Sequence, residues 1–227
     1  MSARAYLACV SELIDRLGEE PQYTSILTAA DAVADTIANG GRILVPPTTY
    51  CLHEESTGRA GGFMPVHVLT DSAFVRAEDC VLIGSPVGTS PKPIDFALEA
   101  QARGAIVIAL TNSEFENDPR TLLEHPTRQR LHEVADIVVD VPGPFGDGVF
   151  DVPELEMRAI PHSGVTSMTA MWMIFSEALS LLRGRSITPR LWECVNIDGA
   201  RARNAVRIDG YLRTGHGCIV DDDQLAP

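Results

Sequence analysis

Two short segments collect side chains that handle anions and protons. The first, IGSPVGTSPKPIDFALEAQARGA (83–105), runs from a strand ending at Gly84, through a turn of small hydroxyl residues, into a helix that opens near Pro93. A turn of this kind aims backbone N–H groups and the hydroxyls of Ser85, Thr89 and Ser90 at one point, and Gly88 lets the main chain approach a bound group closely. It is not a Walker A loop, because the Lys-Ser/Thr ending is absent, and it is not a GxGxxG dinucleotide turn. An anion cradle and an ordinary strand-to-helix turn both fit it.

The second segment, VPPTTYCLHEESTGRAGG (45–62), sets Thr48, Thr49, Tyr50 and Cys51 directly after an apolar strand, with His53, Glu54 and Glu55 opening the next helix. A carboxylate in that place can work as a general base. Adjacent acids cannot face the same way on a helix, so at most one of Glu54 and Glu55 takes that role. Both also suit the positive end of a helix dipole as capping and solubilising groups. His162 precedes SGVTS and another helix start, which makes it a pocket histidine or a plain loop residue. Pro126 separates His125 from His132 and argues against a helical metal pair. Cys51 and His53 lack a third, orienting residue. The sequence calls for no metal and no cofactor.

The elements that must hold these residues follow from periodicity. Tyr6, Leu7, Val10, Leu13, Ile14 and Leu17 form one face of a helix over 3–18, and a second helix runs from Ser25 or Thr28 to Ala38, stopped by Asn39-Gly40-Gly41. RILV (42–45), MPVHVLT (64–70), CVLIG (80–84), AIVIAL (105–110) and ADIVVDV (135–141) read as strands, with helices at 93–102 and near 127–134. Apolar strands with helical connections imply a mostly parallel sheet covered on both faces, with its ligand at the carboxyl ends of the strands. Residues 142–163 are turn-rich, either a functional loop or a plain surface one. VTSMTAMWMIFSEALSLLRG (165–184) reads as a buried helix opened by Thr166, Ser167 or Thr169, and 200–213 as a further helix. The expected division is N-terminal helices over 1–36, a main domain over 37–213 and a tail over 214–227.

At 227 residues the chain suits a single α/β domain. Its 18 basic and 31 acidic residues give a net charge of −13, which argues against a non-specific grip on nucleic acid or on an anionic membrane. Lys92 is the only lysine, so Schiff-base chemistry has one candidate. The start, MSARAYLACVSELIDRL, lacks the features of a secretory signal, and no run of about 18 apolar residues is free of polar breaks. Five cysteines without CxxC spacing fit reduced thiols, and a cytoplasmic location is the expectation.

Taken together, IANGGRI (37–43), RAGG followed by PV (59–66), PIDFALEAQARGAIVIALT (93–111), HPTRQRLHEVADIVVD (125–140) and PGPFGDGVFDVPEL (142–155) resemble the sugar isomerase (SIS) family. Within that family the chain is similar to proteins described as phosphosugar or phosphoheptose isomerase-like. The resemblance implies an α/β fold, a three-layer αβα sandwich with a five-stranded parallel sheet, assembled as a homodimer or homotetramer. It also implies a sugar phosphate or related sugar ligand held at the strand ends by Ser and Thr.

Ser85 and Gly88 match the family's Ser-x-Ser-Gly loop, Thr89 and Ser90 follow it, and Ser167 and Thr169 match hydroxyls opening the later helix. Glu54 and Glu55 match a pair of acids, and Asn196 and Asn204 match asparagines of the C-terminal segment. The family moves a proton between C1 and C2 with a Glu base, often with a His that assists ring opening. This chain departs from the pattern: Pro86 and Val87 stand where the loop carries Asn and Ser, and Arg203 stands where relatives carry His. The implied function is aldose–ketose isomerisation. A non-catalytic regulatory sugar-phosphate-binding protein, and an etherase or lyase using the same enolate chemistry, are the alternatives.

Overall fold

The structure is a computed structural model and describes residues 2–48 and 52–220. Short apolar runs joined by helices bury their surfaces most simply as a parallel sheet with a helical layer on each face. Five strands form that sheet: β1 (Ile43–Val45), β2 (Val66–Val68), β3 (Cys80–Ser85), β4 (Ile106–Thr111) and β5 (Ile137–Asp140). They are ordered β2-β1-β3-β4-β5 and pair in parallel throughout. The three-layer sandwich expected from the sequence is the fold observed. β3 and β4 stay in register from Cys80 opposite Ile106 to Ser85 opposite Thr111, so two hydroxyl residues end side by side at the carboxyl edge.

Alternation of side chains along each strand divides the core in two. Cys80, Leu82, Ile108, Leu110 and Val139 pack with α2 (Gln22–Ala38) and α7 (Ser163–Gly184). Val81, Ile83, Val107 and Ala109 pack on the opposite face with α4 (Pro91–Ala102) and α6 (Leu131–Val134). Every residue of β3 is therefore buried, which is why the strand reads as an unbroken apolar run and not as an alternating one. Each fully buried Leu or Ile contributes about 1.5–3 kcal/mol, so these two layers dominate the stability. α7 has the length and apolarity of a membrane span, yet Ala170, Met171, Ile174, Ala178 and Leu182 lie in the core against α2. α1 (Ala3–Asp15) is more peripheral: Val10 and Leu13 are buried, while Leu7, on the expected apolar face, is 65% exposed.

The structure departs from the expected elements at several boundaries. α2 begins at Gln22, ahead of Ser25, and only Val66–Val68 of the 64–70 run pairs as a strand. The helix expected near 127–134 shrinks to α6, because Arg128 takes a left-handed φ of 57° and turns the chain first. The turn-rich segment after β5 contains an antiparallel hairpin of β6 (Gly148–Phe150) and β7 (Ala159–Pro161). Two short helices complete the carboxyl edge, α3 (Leu52–Ser56) after β1 and α5 (Ser113–Asn117) after β4.

α8 (Ala200–Thr214) lies against the edge strand β2, where Tyr211 stacks on His67 and shares a 2.8 Å hydrogen bond with it. At the amino end of the sheet the buried Asp79 carboxylate accepts from the Arg42 backbone N–H, Nε and Nη2 at 3.0, 3.0 and 2.6 Å, and from the Arg76 N–H at 2.9 Å.

Candidate functional site

The loop joining β3 to α4 is built around one internal hydrogen bond. Ser85 ends β3 and its Oγ accepts from the Gly88 N–H at 3.1 Å, which curls the chain through Gly88 at φ 61°. The Gly88 carbonyl in turn accepts from the Leu131 N–H at 2.7 Å, tying the loop to α6. Thr89 follows, 1% exposed, and its Oγ1 has no hydrogen-bond partner. A buried hydroxyl left unpaired costs about 1–3 kcal/mol, which makes Thr89 Oγ1 a candidate donor to a ligand. Ser90 turns away from this loop, donating to Glu124 Oε2 at 3.1 Å.

A second orphan hydroxyl lies at the same edge of the sheet. α7 starts beside the chain leaving β5, because the ring of its N-cap residue His162 fills the space over Gly143, where a Cβ would meet Cε1 at 1.8 Å. Ser167, in the second turn, is 0% exposed and its Oγ has no partner. Thr169 instead donates to the Val165 carbonyl of its own helix at 2.8 Å. His162 is 1% exposed; its Nδ1 lies 3.3 Å from Thr166 Oγ1, and its Nε2, 3.5 Å from Asp147, makes no hydrogen bond. Burial pushes His162 below the usual histidine range, partly offset by the nearby Asp147 carboxylate. The Asp147 carboxylate is engaged by the Ser163 N–H and hydroxyl at 3.0 and 2.9 Å.

The two adjacent acids separate as their spacing requires. Glu54 is exposed, whereas Glu55 is half-buried and faces α7, where Trp172 Nε1 donates to its Oε1 at 3.3 Å. Arg59 pairs with the same oxygen at 3.3 Å. Thr48 is a strap and not a free donor, since its hydroxyl is given to the Gly84 carbonyl at 2.9 Å. Thr49 lies outside the described residues.

Two of the C-terminal residues matched through the family resemblance, Arg203 and Asn204, meet at Glu193. Asn204 is buried and brackets Glu193, its Oδ1 accepting from the Glu193 N–H at 2.9 Å and its Nδ2 donating to the Glu193 carbonyl at 2.8 Å. Arg203 grips the Glu193 carboxylate with bonds of 2.9 and 2.5 Å, and Arg207 adds a third at 3.2 Å. These guanidinium contacts, Arg203 first, hold Glu193 down to about 2. Asn196 is exposed in the turn leading to α8.

Sequence reasoning missed Glu116, which is 0% exposed and lies directly beneath the β3–α4 loop. Thr111 Oγ1 donates to its Oε1, and His132 Nδ1 shares a hydrogen bond with its Oε2. The only sequence signal was an acid in SEFEN just past a strand ending in Thr-Asn, and it carried no periodicity. His125 pairs with Asp95 at 3.1 Å, so the two histidines serve different partners. A cleft of about 540 Å³ opens nearby, lined by Arg120, Phe145, Asp151 and Arg158, but its arginines are already paired: Arg120 with Asp118 and Arg158 with Asp151. Among the described residues no cluster of three or more His, Cys, Asp or Glu could hold a metal ion.

Comparisons with known proteins bear on this edge of the sheet. The SIS domain profile matches residues 67–112, which span β3, the loop and β4. A UPF0309 protein of Geobacillus thermodenitrificans is 28% identical over 212 residues, covering 81% of this chain and 84% of that protein. A UPF0309 protein of Caldanaerobacter subterraneus subsp. tengcongensis is 30% identical over 150 residues, covering 65% of this chain and 60% of its own length. Among solved structures, a phosphoheptose isomerase from Francisella tularensis superposes with a TM-score of 0.56 at 16% identity, covering 78% of this chain and 98% of that one. One from Neisseria gonorrhoeae gives 0.52 at 16% identity, covering 78% and 95%. At such identities the structures share the fold alone. The chain thus has an SIS-like fold, and its sequence is similar to that of the UPF0309 proteins over most of its length.

Proposed function

We propose that the carboxyl edge of this sheet binds a phosphorylated sugar and that Glu55 moves a proton between its C1 and C2. The observation that carries this reading is the pair of buried, unpartnered hydroxyls of Thr89 and Ser167 at one edge of the sheet. Polar groups left dry and unpaired in the free protein are the donors a phosphate or sugar oxygen would complete. The fold shared with phosphoheptose isomerases supports the substrate class.

Glu55 is the acid that faces inward, held by Trp172 and Arg59, so it is the base in this reading. It would take the proton alpha to the carbonyl of the open-chain sugar, leave an enediolate stabilised by nearby hydroxyl and amide donors, and return the proton to the neighbouring carbon. One specific feature favours binding without turnover as the second reading: Arg203, standing where relatives carry His, is locked onto Glu193.

The test is C2–H exchange in deuterated water, followed by NMR over a panel of sugar phosphates and non-phosphorylated sugar acids. Exchange in the wild type that disappears in Glu55→Gln is the expected result. Saturable binding without exchange would establish the second reading. A product with an eliminated substituent would instead place the enolate chemistry in a lyase.

A further inference from the structure

Glu116 is buried where a negative charge is least welcome. A Cβ at Gly88 would lie 1.8 Å from its Oε1, so the carboxylate supports the very loop that the proposed site uses to hold an anion. An ionised, unpaired carboxylate in that position would repel a bound phosphate, and its burial alone costs several kcal/mol unless a partner compensates. A structural prop needs no charge; an amide or an apolar side chain would fill the space.

Among the described residues, the groups that contact the Glu116 carboxylate leave one partner able to neutralise it. β4 contributes Thr111 and the loop contributes Gly88, neither of which carries a titratable side chain in the relevant range. Glu114, on the same short helix, is exposed. Arg130 donates its Nε to the Glu116 backbone carbonyl at 2.9 Å and pairs with Glu133 at 3.6 Å. His132 of α6 is the titratable group that touches the carboxylate, and its side chain is 25% exposed, which gives the pair a route to solvent protons. Burial raises the Glu116 carboxyl above the usual carboxylate range, against the hydrogen bonds from Thr111 and His132.

We infer that Glu116 and His132 form a proton-carrying support beneath the β3–α4 loop, so that anion binding by the loop is coupled to protonation of the pair. This rests on reading the loop as the anion site. Without the proton the pair carries one negative charge; with it, as imidazolium–carboxylate or imidazole–carboxylic acid, the pair is neutral and the loop accepts an anion. The proton comes from solvent and forms one N–H or O–H bond within the pair.

Sulfate is the probe, because it stays a dianion across the range used and any pH dependence belongs to the protein. Calorimetric titration of the wild type should show affinity rising about tenfold from mildly alkaline to mildly acidic conditions. Glu116→Gln should bind sulfate about tenfold more tightly than wild type under mildly alkaline conditions, the penalty being gone. His132→Gln, at a partly exposed position and so less disruptive to folding, should bind like wild type under alkaline conditions and need stronger acid for the same gain. Equal alkaline affinities in wild type and Glu116→Gln, with binding abolished by Thr89→Val, would overturn the role of the pair and leave the site standing. Sulfate binding indifferent to Thr89→Val, or no binding at all, would overturn the site and the pair together.

Discussion

At the amino end of the sheet the buried Asp79 carboxylate receives four hydrogen bonds from Arg42 and the Arg76 amide, whereas at the carboxyl end Thr89 and Ser167 have none. Asp79, Thr89 and Ser167 are all buried, so the exposure of these groups does not account for the difference. In the proposed reading the Asp79 carboxylate serves the fold and is satisfied by it, whereas the two hydroxyls await a ligand.

The comparison can be broken most readily at its amino end. Asp79→Asn should cost about 3 kcal/mol in urea denaturation, the lower part of the range for breaking a buried pair, because Arg42 keeps partial access to water. Burial works against the Asp79 charge, but the hydrogen bonds from Arg42 and from the Arg76 and Arg42 amides outweigh it and hold the carboxyl below its usual value. That stability is therefore present above the ordinary carboxylate pKa of about 4 and is lost as pH falls through the lower folded value. In Asp79→Asn this acid-limb slope should be reduced; an unchanged slope would show that the ion pair adds nothing to stability.

At the carboxyl end, Gly88→Ala should cost about 2 kcal/mol, since it combines a left-handed φ with a contact on Glu116 that a methyl group cannot make. A neutral result would mean that Glu116 swings away freely and that the loop is not seated on it. The smallest effect has the opposite sign. Thr89→Val and Ser167→Ala should each stabilise the free protein by up to about 1 kcal/mol in thermal melts while weakening sulfate binding. If both instead destabilise it, the hydroxyls belong to the fold and the contrast between the two ends collapses.

The layers were legible because the strands are buried on both faces: CVLIG and AIVIAL are unbroken apolar runs, and no other arrangement covers them so simply. Boundaries were less so, since Arg128 takes a left-handed turn that periodicity does not encode. Within the site, the Ser85–Thr89 loop stood out through composition, and the separation of Glu54 from Glu55 followed from helix geometry. Thr48, Thr169 and Ser90 have the right chemistry for ligand contacts but give their hydroxyls to Gly84, Val165 and Glu124, choices set by tertiary neighbours. Glu116 was invisible for the converse reason. An acid in a short polar stretch reads as surface, and only the crossing of β4, α6 and the loop above it makes it interior.

α8 touches the sheet at its edge, on β2. β2 is a three-residue edge strand, and an uncovered edge is a template on which another chain can add a strand. Tyr211 of α8 meets that strand through the side chain of His67, stacked on its ring and hydrogen-bonded to it. Loss of that contact would bare the side chain of His67 on the outermost strand of the sheet.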